Sequence, residues 1–417
     1  MTHTAHDFVL AYYSGDRKTG TLAVVKQQAG ETSVSVVASG ADTGLEKAMK
    51  PIMIGMSDDK VVLLDPKTKA LSLSASFPAD AFPAHVYTDP YSGLDWYMND
   101  GDKETGNDTL NCGDNGSSVS IVENSNSADA KYLATICVGR GHHQANFTGP
   151  SEQAPNVPRR AVVSNLKDGT LTFIGSDPAD EKTYLKVTNT LNLCEPDKED
   201  GLAGGAVPNN SFPHGLVYSP VSGKLYNLNN GYGTIAVIDP ASGEIEQRIN
   251  FKGHSNLFIS KDGRFVIGRG ADRKSDPDHV IAKLSVIDVT TNEVVDSMDL
   301  KDIYISKYFF NGDGSKLYLS TGSSGSDTQM TNLKTDVVLV FDLSDLPKIK
   351  LDKELKLGSV GSLDFLNENG ETSLVFSSDS TGGDVVILDG KSDDIVARIS
   401  VNDGQPHSRL WMLNQAF

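Results

Sequence analysis

The sequence predicts an all-β protein assembled from one repeated four-strand unit. Short apolar runs recur along the whole 417-residue chain, each bounded by turn residues drawn from its 39 glycines, 17 prolines and many Asp, Asn and Ser. Four consecutive segments of the C-terminal half also repeat a common pattern of strand, turn, strand.

The clearest unit runs HGLVYSP, KLYNLNN, GTIAVIDPASG, EIEQRINF from His214 to Phe251, and each part alternates apolar and polar positions as a strand does. The next reads HSNLFISKDG, RFVIGRG, AKLSVIDVTTN, EVVDSMDL. It is followed by SKYFFNGDG, KLYLSTG, DVVLVFDLSDL, and then by SLDFLNENG, SLVFSSDS, DVVILDGKSD, DIVARISV. In the N-terminal half, GTLAVVKQQAGETSVSVVAS and KVVLLDPKTKALSLSASF match the third and fourth strands of a unit. SSVSIVENSNSADAKYLATICV and GTLTFIGSDPADEKTYLKVTN do the same for the following two. Four strands per unit at a spacing of about 40 to 56 residues point to β-propeller blades.

Nothing reads as a linker, so one propeller is expected over residues 1–417, with residues 1–7 as a flexible tail. Seven blades are expected, with eight as the alternative, because the second N-terminal unit lacks a clear first strand. HSRLWMLNQAF at the C-terminus reads as a first strand without partners, and DFVLAYYSG at the N-terminus as a second strand. Pairing the two would close the ring and remove its exposed edges.

A net charge of −18 excludes the concentrated basic surface that nucleic acid or an anionic membrane requires. No apolar stretch approaches the length of a membrane span, and no signal segment opens the chain. Cys112, Cys137 and Cys194 form neither CxxC nor CxxCH. Cys112 and Cys137 flank a strand-rich stretch and are candidates for a disulfide, with three separate thiols as the alternative. A disulfide would imply an oxidising compartment, so a periplasmic or secreted location is expected. Sequons at Asn107, Asn115, Asn146 and Asn209 matter only for a chain that is glycosylated during secretion.

Histidine recurs at the starts of first strands. His214 and His254 each stand nine residues ahead of a turn glycine, Gly223 and Gly263, and His85 stands eight ahead of Gly93. His143 and His407 open strand-like stretches of their own, and His142 faces away from its neighbour. In a propeller, first strands line the central channel, so His85, His143, His214, His254 and His407 are the expected ligands of a metal. Imidazoles suit copper, zinc, iron and nickel. Two units break the pattern, with Ile305 and Gly361 at the histidine position. Lys307 follows on its strand and is the candidate catalytic residue, either holding an anion or acting as an acid with its pKa lowered by burial.

The stretches Ile235 to Pro240, Leu284 to Thr290, Val338 to Leu343 and Val385 to Gly390 resemble the YVTN-type propeller repeat, well from about Phe212 onward and in fragments before it. The histidine-lined channel resembles two kinds of copper oxidoreductase, thiocyanate dehydrogenase and the propeller domain of nitrous oxide reductase. The chain lacks the cupredoxin domain that accompanies the latter. That resemblance implies copper-dependent oxidation or reduction of a small inorganic molecule. The alternatives are a zinc or copper metallochaperone without chemistry, for which THTAHD with His3 and His6 would be a capturing tail, and a protein-binding scaffold.

Three loops complete the reading. Asp100, Asp102 and Glu104 begin a calcium-like loop that lacks the sixth-position glycine and the closing glutamate. Gly149–Arg160 follows the paired histidines and is expected as a lid over the channel mouth, with Arg159 and Arg160 facing an anion or pairing with carboxylates. Gly201–His214 is expected to wall the same mouth.

Overall fold

Eight four-stranded antiparallel sheets account for every strand among the described residues. The structure is a computed structural model and describes residues 6–14, 21–39, 47–48, 53–57, 60–65, 67–78, 81, 83–100, 112, 116–127, 129–199, 205–273, 275–323, 331–358, 360–379, 383–401 and 409–413.

Arg409–Met412, Phe8–Ser14, Thr21–Gln28 and Glu31–Ser39 make the first sheet, so strands from both ends of the chain share it. Leu10 faces Met412 and Tyr13 faces Arg409 in that antiparallel pair, as the terminal sequence patterns predict. The second sheet begins with a stub, Lys47–Ala48, followed by Met53–Ser57, Lys60–Leu64 and Leu71–Ser76. That stub is why its first strand is hard to find in the sequence.

The other six sheets start at Pro83–Thr88, His142–Thr148, Pro213–Ser219, Asn256–Ile259, Ile305–Phe310 and Val360–Glu368. Each first strand is an edge of its sheet, followed by the second, third and fourth strands in chain order.

Burial explains the order. Middle strands are covered on both faces, so Asp95–Asn99 and Thr170–Gly175 are buried at every position. Fourth strands keep one wet face, and Lys350–Lys356 alternates exposed and half-buried residues along its length. Gly223 and Gly263 close the turns after first strands at φ +69° and +74°, a conformation that disfavours side chains.

Apolar clusters join each sheet to the next. Leu22 and Val24 of the first sheet pack with Val62 and Leu64 of the second, whose Leu63 packs with Tyr97 and Val122 of the third. Trp96 meets Phe147, Phe173 meets Leu225, Leu228 meets Leu257, Ile267 meets Leu319 and Val340 meets Val386 along the series. Phe376 and Ile387 of the eighth sheet then pack with Phe8 and Leu10 of the first. Such a cyclic set of interfaces is a β-propeller. No helix among the described residues is long and apolar enough to cross a membrane.

His6 and Asp7, expected in a flexible tail, are held by neighbours. The His6 carbonyl accepts from Gln27 and its ring Nδ1 lies 2.9 Å from Glu368, while Asp7 accepts from the Ala29 amide.

Candidate functional site

First strands of neighbouring sheets lie against one another, and five share a backbone defect near their start. Register shifts fall between Pro83 and His85, His142 and Ala145, Pro213 and Leu216, Ile305 and Lys307, and Val360 and Leu363. Each bulge adds one residue to the first strand and re-aims the side chains there. Alignment on the pairs beyond the bulge makes Ala84, His143, His214, Ser306 and Gly361 equivalent. His85, Gln144, Gly215, Lys307 and Ser362 occupy the next position.

Polar side chains at this inner wall reach backbone groups of the following sheet. Gln144 both donates to Leu216 O at 2.9 Å and accepts from Leu216 N at 3.0 Å, and Asn146 adds a bond to the same carbonyl. His214 Nδ1 meets Ser255 O. Arg269 donates to Ile305 O at 3.0 Å, and Lys307 to Gly361 O at 2.5 Å. Ser362 donates to Leu410 O, and Asp364 accepts from the Met412 amide. Five consecutive junctions, from the fourth sheet round to the first, are therefore clasped in one direction. Burial holds the Asp364 carboxyl above its ordinary pKa, against the two backbone amides that favour its charge.

The expected histidines divide by environment. His214 is half-buried, and burial lowers its pKa, with the Arg269 charge acting in the same direction against the Ser255 carbonyl. Donation from Nδ1 to that carbonyl selects the neutral tautomer with its lone pair on Nε2. His85 stands on the third sheet with its ring 6.5 Å from that of Tyr87. The backbone of His143 occupies the place equivalent to His214.

His254 lies inside its own sheet. Its ring stacks on Phe251 at 3.8 Å, Nε2 bonds Ser285 Oγ at 2.9 Å and Nδ1 lies 3.3 Å from Phe251 O. Burial depresses its pKa to about 4. Both nitrogens have partners within the protein, unlike what a metal ligand needs. His407 lies outside the described residues. Among the described residues, no group of three or more His, Cys, Asp or Glu is placed to hold a metal ion.

A second chemistry faces these histidines. Lys307 has its pKa pushed down to about 8 by burial and then by the charge of Arg409. Burial also lowers Arg409 and Arg269. Tyr87, on the third sheet, is raised by burial and then by Tyr308, on the seventh. Tyr308 stacks on Phe258 at 4.4 Å, in the apolar packing between the sixth and seventh sheets.

Gly149–Arg160 forms the turn after the first strand, at the end of that strand remote from His142 and His143. There Ser151 donates to Pro220 O, Gly149 O accepts from Tyr218, and Arg159 lies 3.7 Å from Asp89 and 3.5 Å from Asp177. It is a brace between sheets and not a lid on the histidine end, because a seven-residue strand separates the two. Of Gly201–His214, residues 201–204 lie outside the described residues; in the rest Asn210 donates to Glu199, which also accepts from Tyr232.

Cys112 and Cys137 form a disulfide, and Cys194 is a free thiol. Of the calcium-like residues, Asp102 and Glu104 lie outside the described residues, and the Asp100 carbonyl accepts from Ser117. The Asn146 amide donates to Leu216 O, and Asn209 is 5% exposed with its amide donating to Gly169, Asn192 and Ala206. Neither presents an amide for glycan attachment. Asn107 and Asn115 lie outside the described residues.

The class that this architecture defines is a β-propeller with a polar axial wall. No family model matches the chain, and no curated protein sequence matches it. Solved structures resemble it at the level of the fold. Periplasmic gluconolactonase PpgL of Pseudomonas aeruginosa superposes with a TM-score of 0.54 at 11% identity, over 97% of this chain and 99% of its own. Dihydro-heme d1 dehydrogenase NirN gives 0.54 at 15% identity over 84% of this chain and 63% of its own. Hydrazine synthase of Kuenenia stuttgartiensis gives 0.50 at 13% identity, over 77% and 87%.

Sequence reasoning missed Arg269, Arg409, Gln144 and Asn146. Aligning ISKYFF with SRLWM places Arg409 at the position equivalent to Lys307, and that signal was present. Arg269 gave none, because it reaches the wall from within a second strand.

Proposed function

We propose that this chain is an eight-bladed propeller enzyme, an oxidoreductase that handles a small inorganic molecule in its axial channel with copper held by the histidine wall. The observation that carries this reading is the placement of His85, His143 and His214 at the bulged starts of three successive first strands. The donor chemistry of His214 fits: a neutral imidazole anchored through Nδ1 to a carbonyl is how metal-bound histidines are commonly oriented. His85 and His214 do not complete a site alone, so the reading needs His143 and His407 as further ligands. Copper, when bound, supplies one-electron redox chemistry. The protein's part is to orient the imidazoles and to place Lys307 on the inner wall.

The Cys112–Cys137 disulfide supports a periplasmic or secreted location. PpgL and NirN show that propellers of this general shape serve as enzymes, which supports the class of reading and not its substrate.

Elemental analysis of protein purified without chelator tests it. Two or more coppers per chain, lost in the His85→Ala/His214→Ala double variant, support the oxidoreductase. One exchangeable zinc per chain turns the reading to a metal carrier, and no metal above background turns it to a scaffold.

A further inference from the structure

Opposite the histidines, the inner wall concentrates positive charge in a protein whose net charge is −18. Lys307 stands on the first strand of the seventh sheet and Arg409 on that of the first, close enough for the Arg409 charge to disfavour protonation of Lys307. Arg269 reaches the same wall from the sixth sheet, anchored to Ile305 O two residues before Lys307. Tyr304 and Tyr308 both lie within electrostatic range of its guanidinium.

The partners of Arg269 and Lys307 are backbone carbonyls, which orient a cation without neutralising it. Among the described residues neither forms an ion pair with a carboxylate, although 55 Asp and Glu are available in the chain. Arg269 Nε is buried without a hydrogen-bond partner. Half-buried like charges in this state are costly, and a buried donor left unmet adds to that cost. An anion seated among them would remove both penalties.

We propose that Arg269, Lys307 and Arg409 form a binding site for a small oxyanion, a carboxylate or a phosphate-like group, in the axial channel. Guanidinium forks match the paired oxygens of such groups, and the Lys307 ammonium supplies a compact third charge. The acidic exterior does not recruit the ligand, so selectivity lies in the channel itself. The site does not depend on the histidine wall. If that wall holds a redox metal, the anion site states the charge of what is presented to it.

The test strips metal from the full chain with chelator, so that failure here and failure of the copper reading are separate results. Calorimetric titration at low salt uses inorganic phosphate in one arm and oxalate in the other. One saturable site per chain is expected for at least one of them. Lys307→Gln and Arg409→Gln should each weaken it at least about tenfold, the scale of a lost charge-assisted hydrogen bond. Lys261→Gln, a basic residue on an outer turn, should leave it unchanged. Arg269→Gln is the third variant, and because Arg269 also anchors Ile305 it is read only if its near-ultraviolet circular dichroism matches the parent. Absence of saturable binding in both arms, equal affinity in the Lys307 and Arg409 variants, or an equal loss in Lys261→Gln would overturn the proposal.

Discussion

The two sides of the channel solve the same structural problem with different residues. On the third to fifth sheets the bulged first strands carry His85, His143 and His214, alongside Gln144 and Asn146. On the sixth and seventh sheets and the first they are lined by Arg269, Lys307 and Arg409. Both sides clasp the next sheet through a backbone carbonyl, His214 at Ser255, Arg269 at Ile305 and Lys307 at Gly361. A polar residue on an inner strand therefore has a structural reason to exist before it has a functional one. What separates the sides is charge: on one side burial lowers the pKa of the His214 imidazole, and on the other stand guanidinium and ammonium groups.

The largest effect expected comes from breaking the ring that holds both sides. Deleting residues 407–417 removes the strand Arg409–Met412 and with it Leu410 and Trp411, which are buried in two different apolar clusters. Each large buried side chain contributes about 1.5–3 kcal/mol, and the first sheet also loses its closing pairs. The truncated chain should show no cooperative thermal unfolding, and a transition like that of the parent would show that closure is dispensable.

Metal content should respond to one side only. In the His85→Ala/His214→Ala variant it should fall to background while thermal unfolding stays cooperative, measured by elemental analysis and circular dichroism.

His254 gives the next effect, on stability and not on ligands. Its folded pKa, depressed to about 4 from 6.5, means that the unfolded chain binds the proton first as pH falls. Stability is complete above about pH 6.5 and is lost as pH falls toward 4, on the order of 3 kcal/mol in all. Urea unfolding from pH 7 to pH 4.5 should show that loss in the parent and a smaller one in His254→Gln.

Much of this was legible in the sequence, and the reason is the repeat. Strands buried on both faces need continuous apolar runs and wet-faced fourth strands need alternation, so TIAVID and EIEQRIN announced their places. Terminal pairing was legible because a lone first strand and a lone second strand each lack a partner. The second sheet was harder, since Lys47–Ala48 is too short to show any period. Histidine spacing located the inner wall but not the direction of each ring. His214 and His254 stand at the same distance from their turn glycines, yet the first strand of the sixth sheet begins only at Asn256. Its histidine turns back onto Phe251 and Ser285. Phase along a chain fixes a position, and the local pairing decides which way a side chain points.

The smallest effect, about tenfold in affinity, is also the one that isolates the cationic side: Lys307→Gln should weaken oxyanion binding while leaving metal content unchanged.

The two sides of the channel are predicted to bind their ligands independently. Calorimetric titration of chelator-treated His85→Ala/His214→Ala and Lys307→Gln/Arg409→Gln proteins, each with copper and with phosphate or oxalate, measures that directly. The predicted result is a crossed loss, in which the histidine variant keeps the anion and loses copper, and the cation variant keeps copper and loses the anion. Loss of both ligands together in either variant, or retention of both in each, would contradict it.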